Sequence, residues 1–182
     1  MALEFTTSYL QDSLAAFSQY KKLAERAVEQ ISDEDLFTVL DDESNSIAVI
    51  MKHMAGNMRS RWTDFLTTDG EKPNRNRDEE FEEPPGNRVA LLAMWEGGWE
   101  CLFSTIRTLT EADVYQTITI RGEKHSVMQA INRQLAHYPY HVGQIVLLAK
   151  HFASAHWQSL SVPRKGSSEY NRKVASGEAS QR

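Results

Sequence analysis

Four long stretches of the chain repeat their apolar residues with the period of an α-helix, and this pattern restricts the fold more than any other feature. In the first stretch, Leu10–Ile31, apolar side chains recur at spacings of three, four and seven residues. The other stretches cover about Ser44–Phe65, Arg88–Leu109 and Ser126–Phe152, and serine caps stand at the start of the second and the fourth. Four amphipathic helices of this length predict an all-α four-helix bundle of the up-down-down-up type.

The segments between these helices complete the predicted architecture. Ser32–Asp35 predicts a cap and a short turn after the first helix. Residues 69–87 are charged and contain three prolines, which predicts a long solvated crossover between the second and third helices. The β-branched alternation of Val114–Ile120 ends at a glycine turn and predicts a short strand or hairpin before the fourth helix. The predicted domain covers residues 1–162, and a polar tail over residues 163–182 is expected to be extended or disordered at its end.

Composition excludes several classes of protein. Twenty Lys and Arg residues against twenty-five Asp and Glu give a net charge of -5, which argues against a nucleic-acid partner. The single cysteine, Cys101, cannot form an internal disulfide. The longest apolar run, Val89–Trp95, is far short of the roughly 18 residues that a membrane span needs. With Glu4 among the first residues and no apolar signal core, we expect a cytoplasmic protein without a membrane partner.

The fourth helix carries a histidine pair with the spacing of metal ligands. His137 and His141 are four residues apart, so both rings project from one face of the helix, on the shoulder of its apolar stripe. This spacing suits two adjacent positions around a transition metal. It is also compatible with boundary histidines whose hydrogen bonds are satisfied by protein. Pro139 lies between the two and predicts a bend that would change how the rings are aimed.

The second helix offers a third imidazole. His53 lies on a narrow stripe with Asn57 and Asp64, at spacings of four and seven, beside the apolar face. An ionisable group at the edge of an apolar helix needs a partner. His53 can join the pair if the second and fourth helices are neighbours in the bundle.

The remaining candidates have simpler interpretations. His125 precedes a helix cap and is predicted to be exposed, and His151 and His156 lie where a cation favours a helix C-terminus. Cys101 is predicted to be a buried, inert thiol. Gly97–Gly98, in the middle of the third helix, indicates close helix packing or a local bend.

Two motifs resemble a known superfamily. At His53-Met54-Ala55-Gly56-Asn57 and His137-Tyr138-Pro139-Tyr140-His141-Val142-Gly143-Gln144 the chain is similar to the DinB-like superfamily, which includes YfiT-type metalloenzymes. The resemblance covers about residues 1–160 and looks closest to an uncharacterised bacterial branch. It implies a four-helix bundle that binds a divalent metal through one histidine of the second helix and a pair on the last. Carried over position by position, the metal ligands are His53, His137 and His141. Some members of the superfamily are similar to transferases that use low-molecular-weight thiols.

Such a site permits two kinds of chemistry. Three neutral imidazoles leave the full charge on a zinc or nickel ion and leave positions open for a water or a thiol. No Glu follows His137, so a general base is not evident and the catalytic residues stay unassigned. Asn57, Gln144 or Tyr140 could only orient a water or a substrate.

Two hypotheses therefore stay open. The first is a metal-dependent enzyme that acts on a small molecule by thiol transfer or hydrolysis, which an accessible metal at the end of an apolar pocket would favour. The second is a stress-related binding or interaction module with a structural metal or none, which dimerises through exposed helix faces and which a filled coordination shell would favour. A homodimer is the expected oligomeric state.

Overall fold

The protein is mostly helical, with six α-helices and one two-stranded hairpin in the part of the chain described by the computed structural model, residues 7–180. The helices are α1 Tyr9–Val28, α2 Asp33–Phe37, α3 Ile47–Trp62, α4 Arg88–Thr108, α5 Val127–Ala153 and α6 Ser167–Ala175. The strands are β1 Thr117–Ile120 and β2 Glu123–Ser126, and short 3₁₀ turns cover Asp78–Phe81, Asp113–Tyr115 and Ser154–His156. Glu4, which carried the expectation about a secretion signal, lies outside the described residues.

Side-chain caps determine where the helices begin. Ser46 accepts a hydrogen bond from the backbone N–H of Val49, and Ser126 forms a reciprocal capping box with Gln129. A second capping box at Ser32 starts α2. The sequence prediction of these three helix starts is confirmed.

The end of α3 differs from the prediction. The helix stops at Trp62 instead of Phe65, and Asp64 adopts a left-handed backbone with φ of 47°. Asp64 is therefore not on the stripe with His53 and Asn57, and its inclusion there was wrong. Helical periodicity overestimated the length because Phe65 is buried in the loop that follows the helix.

The long helices pack in pairs around an aromatic core. α1 contacts α4 and α5, and α3 contacts α4 and α5. α3 and α5 run antiparallel: Ile50, early in α3, shares a cavity wall with Leu148, late in α5. At the other end Trp62 donates an indole hydrogen bond of 3.0 Å to the Tyr138 hydroxyl. α3 and α5 are therefore neighbours, which is the condition for His53 to meet the pair on α5.

Gly98 allows α4 to approach α3 closely. A Cβ at this position would lie 2.9 Å from the Cα of Ala55, closer than real side chains come. The interpretation of Gly97–Gly98 as a close-packing site is confirmed at Gly98. A larger residue there would push the two helices apart.

The predicted hairpin is present, but it is shorter than the alternation suggested. β1 and β2 pair antiparallel, and the connecting residues Arg121 and Gly122 both have positive φ, as a type I′ turn requires. Val114, expected in the strand, lies in the preceding 3₁₀ turn because its side chain is buried there. Asp69 accepts hydrogen bonds of 2.8 Å from the backbone N–H groups of Arg121 and Gly122.

The tail differs from its prediction as well. α6 covers Ser167–Ala175 and has no buried residue, so the expectation of an extended chain was wrong over this segment. Glu169 and Lys173 form an ion pair one helical turn apart, which supports an exposed helix locally. The domain division at residue 162 stays a prediction. Within the described residues, no helix is both long and apolar enough to cross a bilayer.

Candidate metal centre

Three histidines from two helices meet at one point. His53 of α3 and His137 and His141 of α5 each offer a ring nitrogen, and these nitrogens lie within 4.8 Å of one another. The centroid of the His53 ring is 5.5 Å from the centroid of the His137 ring and 4.9 Å from that of the His141 ring. The structure brings together all three residues that the sequence singled out, although α5 continues through Pro139.

A side-chain oxygen atom contacts Nδ1 of each histidine. Nδ1 of His53 is 2.8 Å from Oε2 of Glu80. Nδ1 of His137 is 3.2 Å from the amide oxygen of Gln134, and Nδ1 of His141 is 2.8 Å from that of Gln144. An oxygen acceptor at Nδ1 places the proton there and leaves the Nε2 lone pair free. Outer partners of this kind orient histidines that bind metals.

The free nitrogens face each other. Nε2 of His141 is 3.1 Å from Nε2 of His137. Two imidazoles bound at 2.0–2.1 Å to one tetrahedral ion have their nitrogens about 3.3 Å apart. Two lone pairs at this distance repel each other unless a proton or a metal ion lies between them. The donor set and its spacing therefore fit a metal ion with nitrogen ligands.

Burial keeps the two histidines of α5 uncharged. Burial, together with the neighbouring rings of His141 and His53 and the positive charges of Arg61 and Arg133, lowers the pKa of His137 to about 3, and burial is the largest of these causes. Burial also lowers the pKa of His141, although the hydrogen bond with Gln144 acts in the opposite direction. Neutral rings are the form that coordinates a metal.

Glu80 is the functional residue that sequence reasoning missed. The connector was predicted to be a solvated crossover, yet Glu80 is buried at 7% exposure and its carboxylate binds both His53 and Arg75, the latter through two bonds of 2.7 and 2.8 Å. Burial alone would raise the pKa of Glu80, but the hydrogen bonds from His53 and Arg75 hold it below its usual value. The prediction for this part of the connector was wrong because pairing with Arg75 removes the penalty for burying a charge.

The 3₁₀ turn that contains Glu80, Asp78–Phe81, makes further contacts with α3 that its charged composition did not predict. The Phe81 ring stacks on His53 with a centroid distance of 4.5 Å. The ammonium of Lys52 donates to the backbone carbonyls of Glu79 and Glu83, the second at 2.9 Å. Gly56 leaves the space that the Glu80 carboxylate occupies. A lone phenylalanine in a charged segment was the available sign that this segment packs against the protein.

The three histidines line a cavity of about 630 Å³. Its wall is rich in arginine, with side chains from α3, α5, the connector and the hairpin: Arg61, Arg75, Arg77, Arg121 and Arg133. Arg61 and Arg133 were overlooked in the sequence. They continue two helical stripes at a spacing of four, Arg61 after Asn57 and Arg133 before His137.

The residues proposed to orient a water or substrate have different positions. Asn57 lines the cavity, and its side-chain oxygen accepts a hydrogen bond of 3.1 Å from Tyr138. Tyr140 lines the cavity and is largely exposed. Gln144 is engaged by His141, so it orients a ligand of the cluster and not a substrate.

The other candidates lie away from the cluster. His151 and His156 are exposed, as predicted, whereas His125 in β2 is half-buried because strand pairing covers part of it. Cys101 is half-buried, with its sulfur 3.6 Å from the Thr63 hydroxyl, and it is not part of the histidine group. None of these residues contributes to the cavity of the three histidines.

Comparison with known proteins gives a family and no activity. No curated protein matches the chain. One family model matches residues 4–166, which include every residue of the histidine cluster and its oxygen partners. The chain therefore belongs to the family described as "Protein of unknown function (DUF1572)".

Proposed function

We propose that the chain is a divalent-metal-dependent enzyme of the DinB-like superfamily that acts on a small molecule. One observation carries the proposal: an oxygen acceptor contacts the Nδ1 atom of each of the three histidines, so each ring turns its other nitrogen toward the common point. Boundary histidines with satisfied hydrogen bonds have no need to present three unprotonated nitrogens to one another.

Zinc or nickel is the cofactor that these residues would hold. Nitrogen donors suit either ion, and imidazoles alone do not select between them. When bound, such an ion supplies Lewis acidity and lowers the pKa of a water or a thiol. Glu80, Gln134 and Gln144 would fix the three rings, and Asn57 and Tyr140 would contact the substrate in the cavity.

The cavity favours an enzyme over a module with a structural metal. In the described part of the chain the cluster consists of three histidines, one fewer than the four ligands of a closed zinc site. The side without a protein ligand opens on a space large enough for a small molecule. Thiol transfer and hydrolysis are both compatible with this arrangement.

The proposal includes the arrangement of the long helices. We propose that α1, α3, α4 and α5 form the up-down-down-up bundle of the superfamily, with residues 69–87 as the crossover. The contacts of α1 with α4 and α5, and of α3 with the same two helices, support it. The homodimer and the cytoplasmic location stay predictions.

Metal content tests the proposal directly. We expect about one equivalent of zinc or nickel per chain in the purified protein and almost none in a His137→Ala/His141→Ala variant, since one remaining imidazole cannot retain the ion. The matched control is His151→Ala/His156→Ala, which removes two exposed histidines. Equal, substoichiometric metal in all three proteins would contradict the metal site.

The reaction class is tested with the loaded protein. We expect metal-dependent conjugation of an electrophilic acceptor with one of several low-molecular-weight thiols, or metal-dependent cleavage of a small ester. Activity that requires neither the metal nor a thiol would exclude the transferase. A protein that binds metal but shows neither activity would favour the structural-metal module.

A further inference from the structure

Arg61 is a buried cation, and two of its three side-chain nitrogens lack hydrogen-bond partners within the described part of the chain. Its side chain is 4% exposed, and neither Nε nor Nη1 has a hydrogen-bond partner among residues 7–180. The third nitrogen, Nη2, is 3.7 Å from a carboxylate oxygen of Glu71. A buried charge without hydrogen bonds is costly, so a ligand is the natural explanation for its position.

The nearest carboxylate cannot neutralise this region. Glu71 also binds Arg75 at 2.9 Å and Arg121 at 3.4 Å, so three guanidinium groups share one carboxylate. Arg75 is further paired with Glu80, but Glu80 is in turn engaged by His53. The positive charge therefore exceeds the negative charge on this side of the cavity.

Arg61 is close to the histidine cluster and to other arginines. Its positive charge acts on His137, and the charges of Arg75 and Arg133 act on Arg61 itself. Burial lowers the pKa of the Arg61 guanidinium, and these like charges lower it further, while Glu71 acts in the opposite direction. Gly70 gives the guanidinium its space, because a Cβ there would lie 2.9 Å from Nη1.

We infer that Arg61, with Arg121 and Arg133 at the cavity mouth, forms a subsite for a carboxylate or phosphate group of the substrate. Arg61 lies in the wall of the cavity that the three histidines line, so the anionic group would be held beside the metal. Guanidinium groups bind such oxyanions through paired, charge-assisted hydrogen bonds. The assignment of this anion as part of a substrate rests on the proposed function. Binding of the anion itself does not require the metal.

Calorimetric titration with inorganic phosphate and, separately, with acetate tests the subsite, with ionic strength held constant by chloride. We expect the wild-type protein to bind at least one of the two anions, and Arg61→Gln to bind it at least about tenfold more weakly because a charge-assisted bond is lost. The tighter anion identifies the substrate group. The control is Arg59→Gln, which removes the same charge from an exposed position of α3 outside this cavity and should keep the wild-type affinity.

Several outcomes would overturn the inference. These are the absence of binding by both anions, wild-type affinity in Arg61→Gln, or an equal loss in Arg59→Gln. If Arg61→Gln does not fold, Arg133→Gln decides the question, because Arg133 is exposed and its replacement spares the core. We expect a loss of about threefold in that variant, as for a single exposed charge, and unchanged affinity would contradict the subsite.

Titrations of zinc-loaded and chelator-treated protein separate this inference from the proposed function. Binding of phosphate that depends on Arg61 in a protein unable to hold zinc would support the anion subsite and contradict the metalloenzyme. Zinc binding together with anion binding that is independent of Arg61 would contradict the subsite alone.

Discussion

Single residues around the histidine cluster support it in two ways: they orient a histidine ring, or they leave space for a side chain that does. Glu80 binds His53, and Gly56 leaves the space that the Glu80 carboxylate fills. A second glycine, Gly143, lies next to the histidine pair on α5 but faces open space. The two glycines therefore form a matched pair: one supports the site and the other does not.

We predict that Gly56→Ala weakens zinc binding about 10- to 100-fold, the usual effect of disturbing a partner of a metal-binding histidine. The new Cβ would lie 2.5 Å from Oε1 of Glu80, so the carboxylate must move away from His53 and Arg75. Competition with a chromophoric chelator measures the affinity.

Gly143→Ala is the control for this change. No atom lies within 4 Å of the added Cβ, and alanine is favoured over glycine inside a helix by up to about 1 kcal/mol. Zinc affinity should be unchanged and the free energy of unfolding should increase slightly. Equal zinc affinities of the two variants would contradict the role of Glu80.

At the scale of elements, the loop after α3 holds the hairpin in place. Asp69 accepts backbone hydrogen bonds from Glu71, Arg121 and Gly122. Burial alone would raise the pKa of Asp69, but these backbone donors and the side chain of Thr119 lower it to about 2. The hairpin turn carries Arg121 into the cavity wall, so this carboxylate also positions one side of the site.

We predict that Asp69→Asn lowers the free energy of unfolding by about 1 kcal/mol at pH 7, since a partly exposed carboxylate is screened by solvent. The lowered pKa means that the ionised form stabilises the fold at pH values above about 4, the pKa of an unfolded aspartate. This contribution is lost as the pH falls toward 2, so the difference between wild type and variant should narrow between about pH 4 and pH 2. Urea unfolding at several pH values measures it.

Asp64→Asn is the control, because Asp64 lies in the same loop and is not hydrogen-bonded to the hairpin turn. Narrowing of the same size in Asp64→Asn would show that the effect does not come from the hydrogen bonds to the turn. A constant difference for Asp69→Asn would show that these hydrogen bonds do not depend on the charge.

At the scale of the molecule, the histidine cluster brings together three parts of the chain: α3, α5 and the connector. His53 belongs to one helix and His137 and His141 to the other, while Glu80 of the connector holds His53. An ion bound by all three would bind the folded chain and not the unfolded one. Its binding free energy would then add to the stability of the whole protein.

We predict that zinc at about 1,000 times its dissociation constant increases the free energy of unfolding by about 4 kcal/mol. For a chain of this size the melting temperature should rise by roughly 10 °C. Circular dichroism melts with zinc and with a chelator measure the shift. His53→Ala should abolish it and His125→Ala should retain it, and an equal shift in both variants would indicate binding elsewhere.

The sequence by itself determined the presence of the four long helices, the hairpin and the identity of the three histidines. Helical periodicity and the caps at Ser46 and Ser126 are local properties, so they could be predicted without knowing the packing. The spacing of His137 and His141 fixed their common face for the same reason. The position of His53 at the edge of an apolar helix face made it the candidate third ligand, and the resemblance to the DinB-like superfamily implied the same residue.

Only the tertiary structure decided what surrounds the histidines. Glu80 and Arg75 lie in a connector whose composition resembles a solvated loop, and their mutual pairing is what makes burial of both charges tolerable. Arg61 is one arginine among many in the sequence, and only the packing of α3, α5 and the hairpin shows that two of its nitrogens have no hydrogen-bond partner among the described residues. Local spacing determines which face a side chain occupies, whereas its charge environment depends on segments distant in the chain.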